Sequence, residues 1–275
     1  MTCCITVLSH DRFPHLSLCL PRLLRSDLTD CHVEVIDDGS RDPRIHQLLI
    51  DLDVDTYYPE PAEGTPQERI GIQRHRAVES FMGGKDDVLF LVDDDILLGP
   101  HALQDGLKAL NDLTTNLGHT ATLSLHGVME PKTYVAVGPW LFGTLRFGGE
   151  ANVFIPRAAI ETVGNLFSPE PRGFGDILFR ALWDAGLGHY EICRPDPQVQ
   201  HLGFGRGASV AYPQEGTQQW THRPYTQHGP PVGGIRRDTP LVVDKFDVAY
   251  YKACVLTCGG YKAPLSYLER KGPNS

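Results

Sequence analysis

The stretch VLFLVDDDILLGP constrains this chain more than any other. An unbroken apolar run, Val88 to Val92, stops at three consecutive carboxylates, Asp93, Asp94 and Asp95. An apolar run of this length without alternation suits a strand covered on both faces, as in the parallel sheets of α/β proteins. Ligands of such sheets bind at the carboxyl ends of the strands, so the acids stand where chemistry is expected. Adjacent carboxylates repel, and ionising all three is costly without a compensating cation. Their hard oxygen donors suit Mg²⁺ or Mn²⁺, particularly when phosphate oxygens complete the shell. The competing reading is a solvated loop whose acids cap a helix beginning near Pro100.

Strand and helix signals alternate through the first half. Cys3 to Ser9 is an apolar, β-branched run, followed by a polar turn through His10 and Arg12 and by leucines at helical spacing, with Pro21 expected to kink or divide that helix. His32 to Ile36 reads as a second strand ending in Asp37, Asp38 and a Gly39-Ser40 turn. A helix around Arg44 to Leu52 and a short strand near Asp55 to Tyr58 follow. The next helix opens at Pro66 and stops at Gly83-Gly84. Such alternation predicts an α/β fold with a central, mostly parallel sheet flanked by helices. It also puts the turn after the first strand and both acidic strand ends on one sheet edge. In the second half Tyr134 to Val137, Ala151 to Ile155 and Ile192 to Arg194 read as short strands, and DILFRALWDAG as a helix. Glycine, proline and polar residues dominate 203–240, which reads as a loop or lid, and Asp247 to Thr257 reads as a last helix. Residues 203–275 thus form an irregular C-terminal extension.

Composition narrows the class. The hydrophobic share of 41% and charged share of 21% are those of an ordinary globular protein. A net charge of −9 argues against a broad cationic surface for nucleic acid. No apolar stretch reaches the eighteen or so residues of a membrane span, and the N-terminus lacks signal-peptide character, so a soluble, cytoplasmic protein is expected. The seven cysteines are irregularly spaced and read as free thiols; Cys254 and Cys258 lack the partners of a zinc site.

Four motifs in order, TVLSHDRFPHLSLCLPRLL, VEVIDDGSRD, GIQRHRAVE and VLFLVDDDILLGPHAL, resemble the nucleotide-sugar-binding half of GT-A glycosyltransferases, and most of all the inverting family two. The similarity covers roughly the first 110 residues and extends more weakly to about His201. It implies a Rossmann-like GT-A fold with a nucleotide-sugar-binding half at 1–110, an acceptor and catalytic half at 111–202, and a lid and tail at 203–275. It also implies transfer of a sugar from a nucleoside diphosphate donor, with a UDP-sugar favoured, aided by Mn²⁺ or Mg²⁺ held at a DxD motif.

The resemblance implies residue roles. Ser9, His10 and Arg12 wrap the nucleoside; Asp37 and Asp38 accept hydrogen bonds from a uracil ring and its ribose, and carboxylates discriminate donors from acceptors there. The other reading of IDDGS is an acidic turn satisfied by backbone amides. Arg74 matches a nucleotide-contacting arginine, although the flanking residues depart from the family pattern and a surface-helix arginine is the alternative. Asp93 and Asp95 match the DxD motif with Asp94, a donor-binding residue, between them; Asp95 is the direct metal ligand, Asp93 a ligand or ribose contact, and His201 a further ligand. Gly149, Glu150 and Asn152, just after Gly148, line the donor sugar and acceptor. Asp176, in the segment that carries the family's base, would remove the acceptor proton in an inverting transfer; this chain keeps only one of the family's two acids there, and Asp176 also reads as a helix N-cap. Trp220 in the lid suits acceptor stacking, whereas Trp140 and Trp183 suit either stacking or the core.

The acceptor stays open among saccharide, protein, small molecule and modified nucleic-acid base, the last needing cations such as Arg206, Arg223, Arg236 and Arg237. Two rival functions remain. A sugar nucleotidyltransferase would also use acid-bound metal, yet LSHDRFP is not the glycine-rich basic loop such enzymes carry. A catalytically inactive nucleotide-sugar or glycan-binding module would bind without turnover.

Overall fold

The computed structural model describes residues 1–64, 66–125, 133–145, 152–164, 176–194 and 199–201. The first half runs β1 (Cys3–Ser9), α1 (Phe13–Leu24), β2 (Cys31–Asp37), α2 (Pro43–Asp51), β3 (Asp55–Tyr57), α3 (Pro66–Gly83) and β4 (Val88–Asp93). The sequence pattern located each of these to within a residue or two. The second half runs β5 (Ile96–Leu98), α4 (Ala102–Leu117), β6 (Thr122–Ser124), β7 (Tyr134–Val137), β8 (Trp140–Leu145), β9 (Asn152–Pro156), α5 (Arg157–Val163), α6 (Asp176–Asp184), β10 (His189–Arg194) and β11 (Val199–His201).

Nine strands form one sheet in the order β3-β2-β1-β4-β9-β6-β10-β8-β7. The first four are parallel. β9 then lies antiparallel to both β4 and β6, and β8 is antiparallel to β10 and β7. The sheet is therefore mixed, and wholly parallel across β3, β2, β1 and β4. The reason lies in the connections. Parallel neighbours need a crossover of a dozen or more residues, whereas Val137 pairs with Trp140 across the two-residue turn Gly138-Pro139.

Alternation along β1 assigns the two faces. Cys3, Ile5 and Val7 join leucines of α1, α2 and α4 in one core; Cys4 and Leu8 join Ala77, Val78 and Phe81 of α3, Ile160 of α5 and Phe179 of α6 in the other. A sheet covered on both sides is what the unalternating β4 demanded, and Val88 to Val92 are all buried.

Three local expectations change. α1 runs through Pro21 without dividing. Pro21 lacks the N–H that would donate to Ser17, a loss of about 3 kcal/mol, but the neighbouring Leu16, Leu20 and Leu23 are buried and contribute about 1.5–3 kcal/mol each. The helix expected near Pro100 begins at Ala102 because Ile96–Leu98 first forms a strand against β11. Trp140 is core: its ring is buried and its indole N–H donates to Asp112 at 2.9 Å. Trp183, by contrast, is exposed on α6. The described cysteines, Cys3, Cys4, Cys19, Cys31 and Cys193, are free thiols as the sequence suggested. No helix among the described residues is long and apolar enough to cross a membrane.

Gly106 sets how closely α4 lies on the sheet. A Cβ there would stand 2.5 Å from the Phe154 ring and 2.8 Å from Leu125, and Phe154 is itself stacked on Phe90 at 4.2 Å between centroids. Gly106→Ala gains about 1 kcal/mol of helix propensity but overpacks a site that cannot give, at about 1–3 kcal/mol. The variant is expected to be less stable than the wild type by up to about 2 kcal/mol, seen as a lower urea midpoint with an unchanged slope.

Candidate nucleotide and acid site

The parallel register gathers the polar residues. Ser9 pairs with Asp37, and Leu8 with both Ile36 and Asp93, so the ends of β1, β2 and β4 coincide at one edge. Two backbone bonds bind the loops beyond them: Asp38 N–H donates to Ser9 O at 3.0 Å and Asp94 N–H to Leu8 O at 3.2 Å.

On the β2 side both acids are buried and hydrogen-bonded. Asp37 accepts from the Ser40 hydroxyl and from Ser40 N–H at 3.2 Å, with the His46 ring 3.4 Å away. Asp38 accepts from Ala62 N–H at 2.8 Å and from Arg69 Nε at 3.0 Å, and Arg76 stands 3.6 Å away. Arg69 also donates to the His10 ring at 2.7 Å. Asp11, at a φ of 49°, accepts from Arg41 and Asp42 N–H and so ties the two loops together. Gly39 permits the turn: its φ is +68°, and a Cβ there would lie 2.6 Å from Pro61 Cγ. The acidic-turn reading thus describes Ser40 and Ala62, while the arginine partner went unforeseen.

On the β4 side the acids are not a solvated loop. Asp94 and Asp95 are 2% and 3% exposed, and the residue before α4 is His101 rather than an acid. The guanidinium of Arg12 spans both carboxylates, at 2.9 Å from Asp94 Oδ1 and with a second short bond to Asp95 Oδ2. Arg74 donates to Asp93 at 3.1 Å and is only 2% exposed, which overturns the surface-helix reading. Burial, with the charges of Asp95 and Asp93, pushes the Asp94 carboxyl up to about 8 against the pull of Arg12.

The remaining expected residues divide into three groups. Asn152 is buried and pairs with Val92, one residue before the acids. The β5–β11 pairing sets His201 opposite Ile96, beside Asp95 in the chain, although the His201 side chain lies outside the described residues. The backbone of Asp176 opens α6, but its side chain, too, lies outside them. Gly148, Gly149, Glu150, Trp220, the lid at 203–240 with its arginines, and the helix expected at Asp247 to Thr257 all lie outside the described residues.

Sequence reading missed Arg69, Gln73 and Arg76, of which Gln73 donates to Ser9 O at 3.2 Å. Positions 69, 73 and 76 recur at i, i+4 and i+7 of α3, a helical stripe that faces the acid edge. That spacing was the available signal.

The donor set fits a divalent cation in kind. Asp94 Oδ2 is buried without a hydrogen-bond partner among the described residues, and an arginine already bridges the acids where a cation would sit. The three aspartates do not, among the described residues, bring three ligand atoms within 4.8 Å.

No protein-family model matches the chain, and no curated protein sequence does. Solved structures do. A mannosyltransferase from Pyrobaculum calidifontis, in complex with GDP-Man and Mn²⁺, aligns at 18% identity over 71% of this chain and 55% of its own, with a TM-score of 0.49. S. aureus TarS 1-349 in complex with UDP-GlcNAc aligns at 14% identity over 70% of this chain and 58% of its own, with a TM-score of 0.47. A197 from STIV aligns at 13% identity over 73% of this chain and 94% of its own, with a TM-score of 0.40. The chain therefore spans little more than half the length of the first two. At such identities the likenesses assign no residue role.

Asp94 gives the site a pH signature. Its folded value of about 8 lies above the unfolded 3.8, so between those values the native state binds the extra proton and stability falls as pH rises. Urea unfolding at intervals from pH 5 to 8.5 is expected to show this loss in the wild type and a flatter profile in Asp94→Asn, which has no carboxyl to ionise.

Proposed function

We propose that this protein is a glycosyltransferase that uses a nucleoside diphosphate sugar, with a UDP-sugar favoured. One observation carries the reading: acids from the ends of β2 and β4 and the polar turn after β1 share a single sheet edge in register. Acids for a base and acids for a diphosphate would occupy such separate strand ends along one sheet edge.

The chain's own groups support distinct tasks. Asp37 and Asp38, already fixed by Ser40, Ala62 and Arg69, present rigid acceptors to a uracil and ribose. Arg12 and Arg74 are arginines whose forked donors match phosphate oxygens as well as carboxylates, so a diphosphate can take them over from Asp93, Asp94 and Asp95. Asp95, with Asp93 and His201, would hold Mn²⁺ or Mg²⁺, which supplies charge stabilisation for the departing diphosphate. Asp176, at the start of α6, accepts the proton as the acceptor oxygen attacks the anomeric carbon and the bond to the diphosphate oxygen breaks, which inverts the configuration.

The test is a thermal-shift and calorimetric panel of UDP, GDP, CDP and TDP, each with and without Mn²⁺. UDP with Mn²⁺ is expected to stabilise the fold by about 2.7 kcal/mol at a hundredfold excess over Kd. Asp38→Asn is expected to weaken the preference for UDP, and Asp95→Ala to lower sugar transfer by about 100-fold or more. Absence of binding to every nucleotide overturns the reading; binding of UDP without turnover, with any acceptor class, reduces it to a binding module.

A further inference from the structure

The opposite, amino edge of the sheet carries a second cluster that the nucleotide site does not use. Cys4 on β1 pairs in register with His32 on β2. Asp86 lies in the turn before β4, a turn held in place by Asp87 and Val88 N–H donating to Thr2 O at 3.1 Å. Because β1 runs between β2 and β4, the starts of β1 and β2 and the turn before β4 each send one side chain to a common point. The Cys4 sulfur, a His32 ring nitrogen and an Asp86 oxygen all lie within 4.8 Å of one another, and they form the one such trio among the described residues.

Geometry and chemistry agree on what such a trio takes. His32 Nδ1 stands 3.4 Å from Asp86 Oδ2, long for a hydrogen bond of about 2.7–3.2 Å. It matches the roughly 3.3–3.4 Å between two ligands that each sit about 2.0–2.1 Å from a tetrahedral ion. Sulfur, imidazole and carboxylate together favour zinc-like ions over the oxygen-seeking Mg²⁺ and Ca²⁺. Glu34 adds a further carboxylate nearby, accepting from the hydroxyls of Thr6 and Ser80, while Arg157 donates to the Asp86 backbone oxygen at 2.8 Å. An ion bound here would displace the proton of the Cys4 thiol.

We propose that Cys4, His32 and Asp86 form a three-ligand site for Zn²⁺ or a similar borderline cation, separate from the acid edge, with water completing the shell. The ion would clasp the beginnings of β1, β2 and β4, and so brace the strands whose far ends carry the nucleotide site.

Cobalt distinguishes the two edges, because a carboxylate-bound Co²⁺ gives no thiolate-to-metal absorption. Titration of the full chain with Co²⁺ is expected to produce that near-ultraviolet band, with Zn²⁺ displacing it and raising Tm. Cys4→Ser should abolish the band. His32→Ala, at an exposed position, should keep the fold and weaken Co²⁺ binding by at least about tenfold. A double Cys254→Ser, Cys258→Ser variant should retain the band. A wild-type chain without the band, a band that survives Cys4→Ser, or undiminished affinity in His32→Ala overturns the site. None of these readouts depends on sugar transfer.

Discussion

Charge compensation at the carboxyl edge is the interaction on which the site depends. Asp37, Asp38, Asp94 and Asp95 are all buried within a few strand widths, and unpaired burial of even one carboxylate costs several kcal/mol. Arg12, Arg69 and Arg74 offset that cost from two directions, the first from the loop after β1 and the others from α3. Removing Arg12 would leave the buried Asp95 without that counter-charge, a costlier state than having neither. The same pairs make the edge convertible: an incoming polyanion can claim the guanidinium groups only if something else takes over the carboxylates.

The mixed sheet serves that arrangement. Parallel strands put three carboxyl ends side by side, and the antiparallel β9 then brings its own first residue, Asn152, to the same edge. A further parallel strand would have brought its last residue there. Both hydrophobic faces are covered by helices, and among the described residues the two clusters lie at opposite ends of the strands. At one edge oxygen ligands and arginines dominate; at the other, sulfur and imidazole.

Much of this was legible because it is written locally. β4 is a continuous apolar run, β1 nearly one and β2 a β-branched stretch ending in acids, and their ends located the edge. The second half was less legible for equally physical reasons. Thr122–Ser124 is a three-residue strand with no period to detect, and β8 hides behind Gly143 in WLFGTL. β9 pairs with β4 only in three dimensions. The partner of each acid is likewise a tertiary fact: nothing near Asp38 in sequence announces Arg69, 31 residues on. Pro21 misled for the converse reason, since burial of the leucines around it outweighed its local preference.

The small pairing of Ile96 with His201 has a bearing on how the molecule comes into being. It joins the residue after the acid turn to one more than a hundred positions later, and contacts so distant in sequence form slowly. During synthesis the acid turn exists for seconds, at about 5–20 residues per second, with Arg12 as its early partner and β11 not yet made. The arginine clamp is thus what a nascent chain has available to offset the acid turn before β11 arrives.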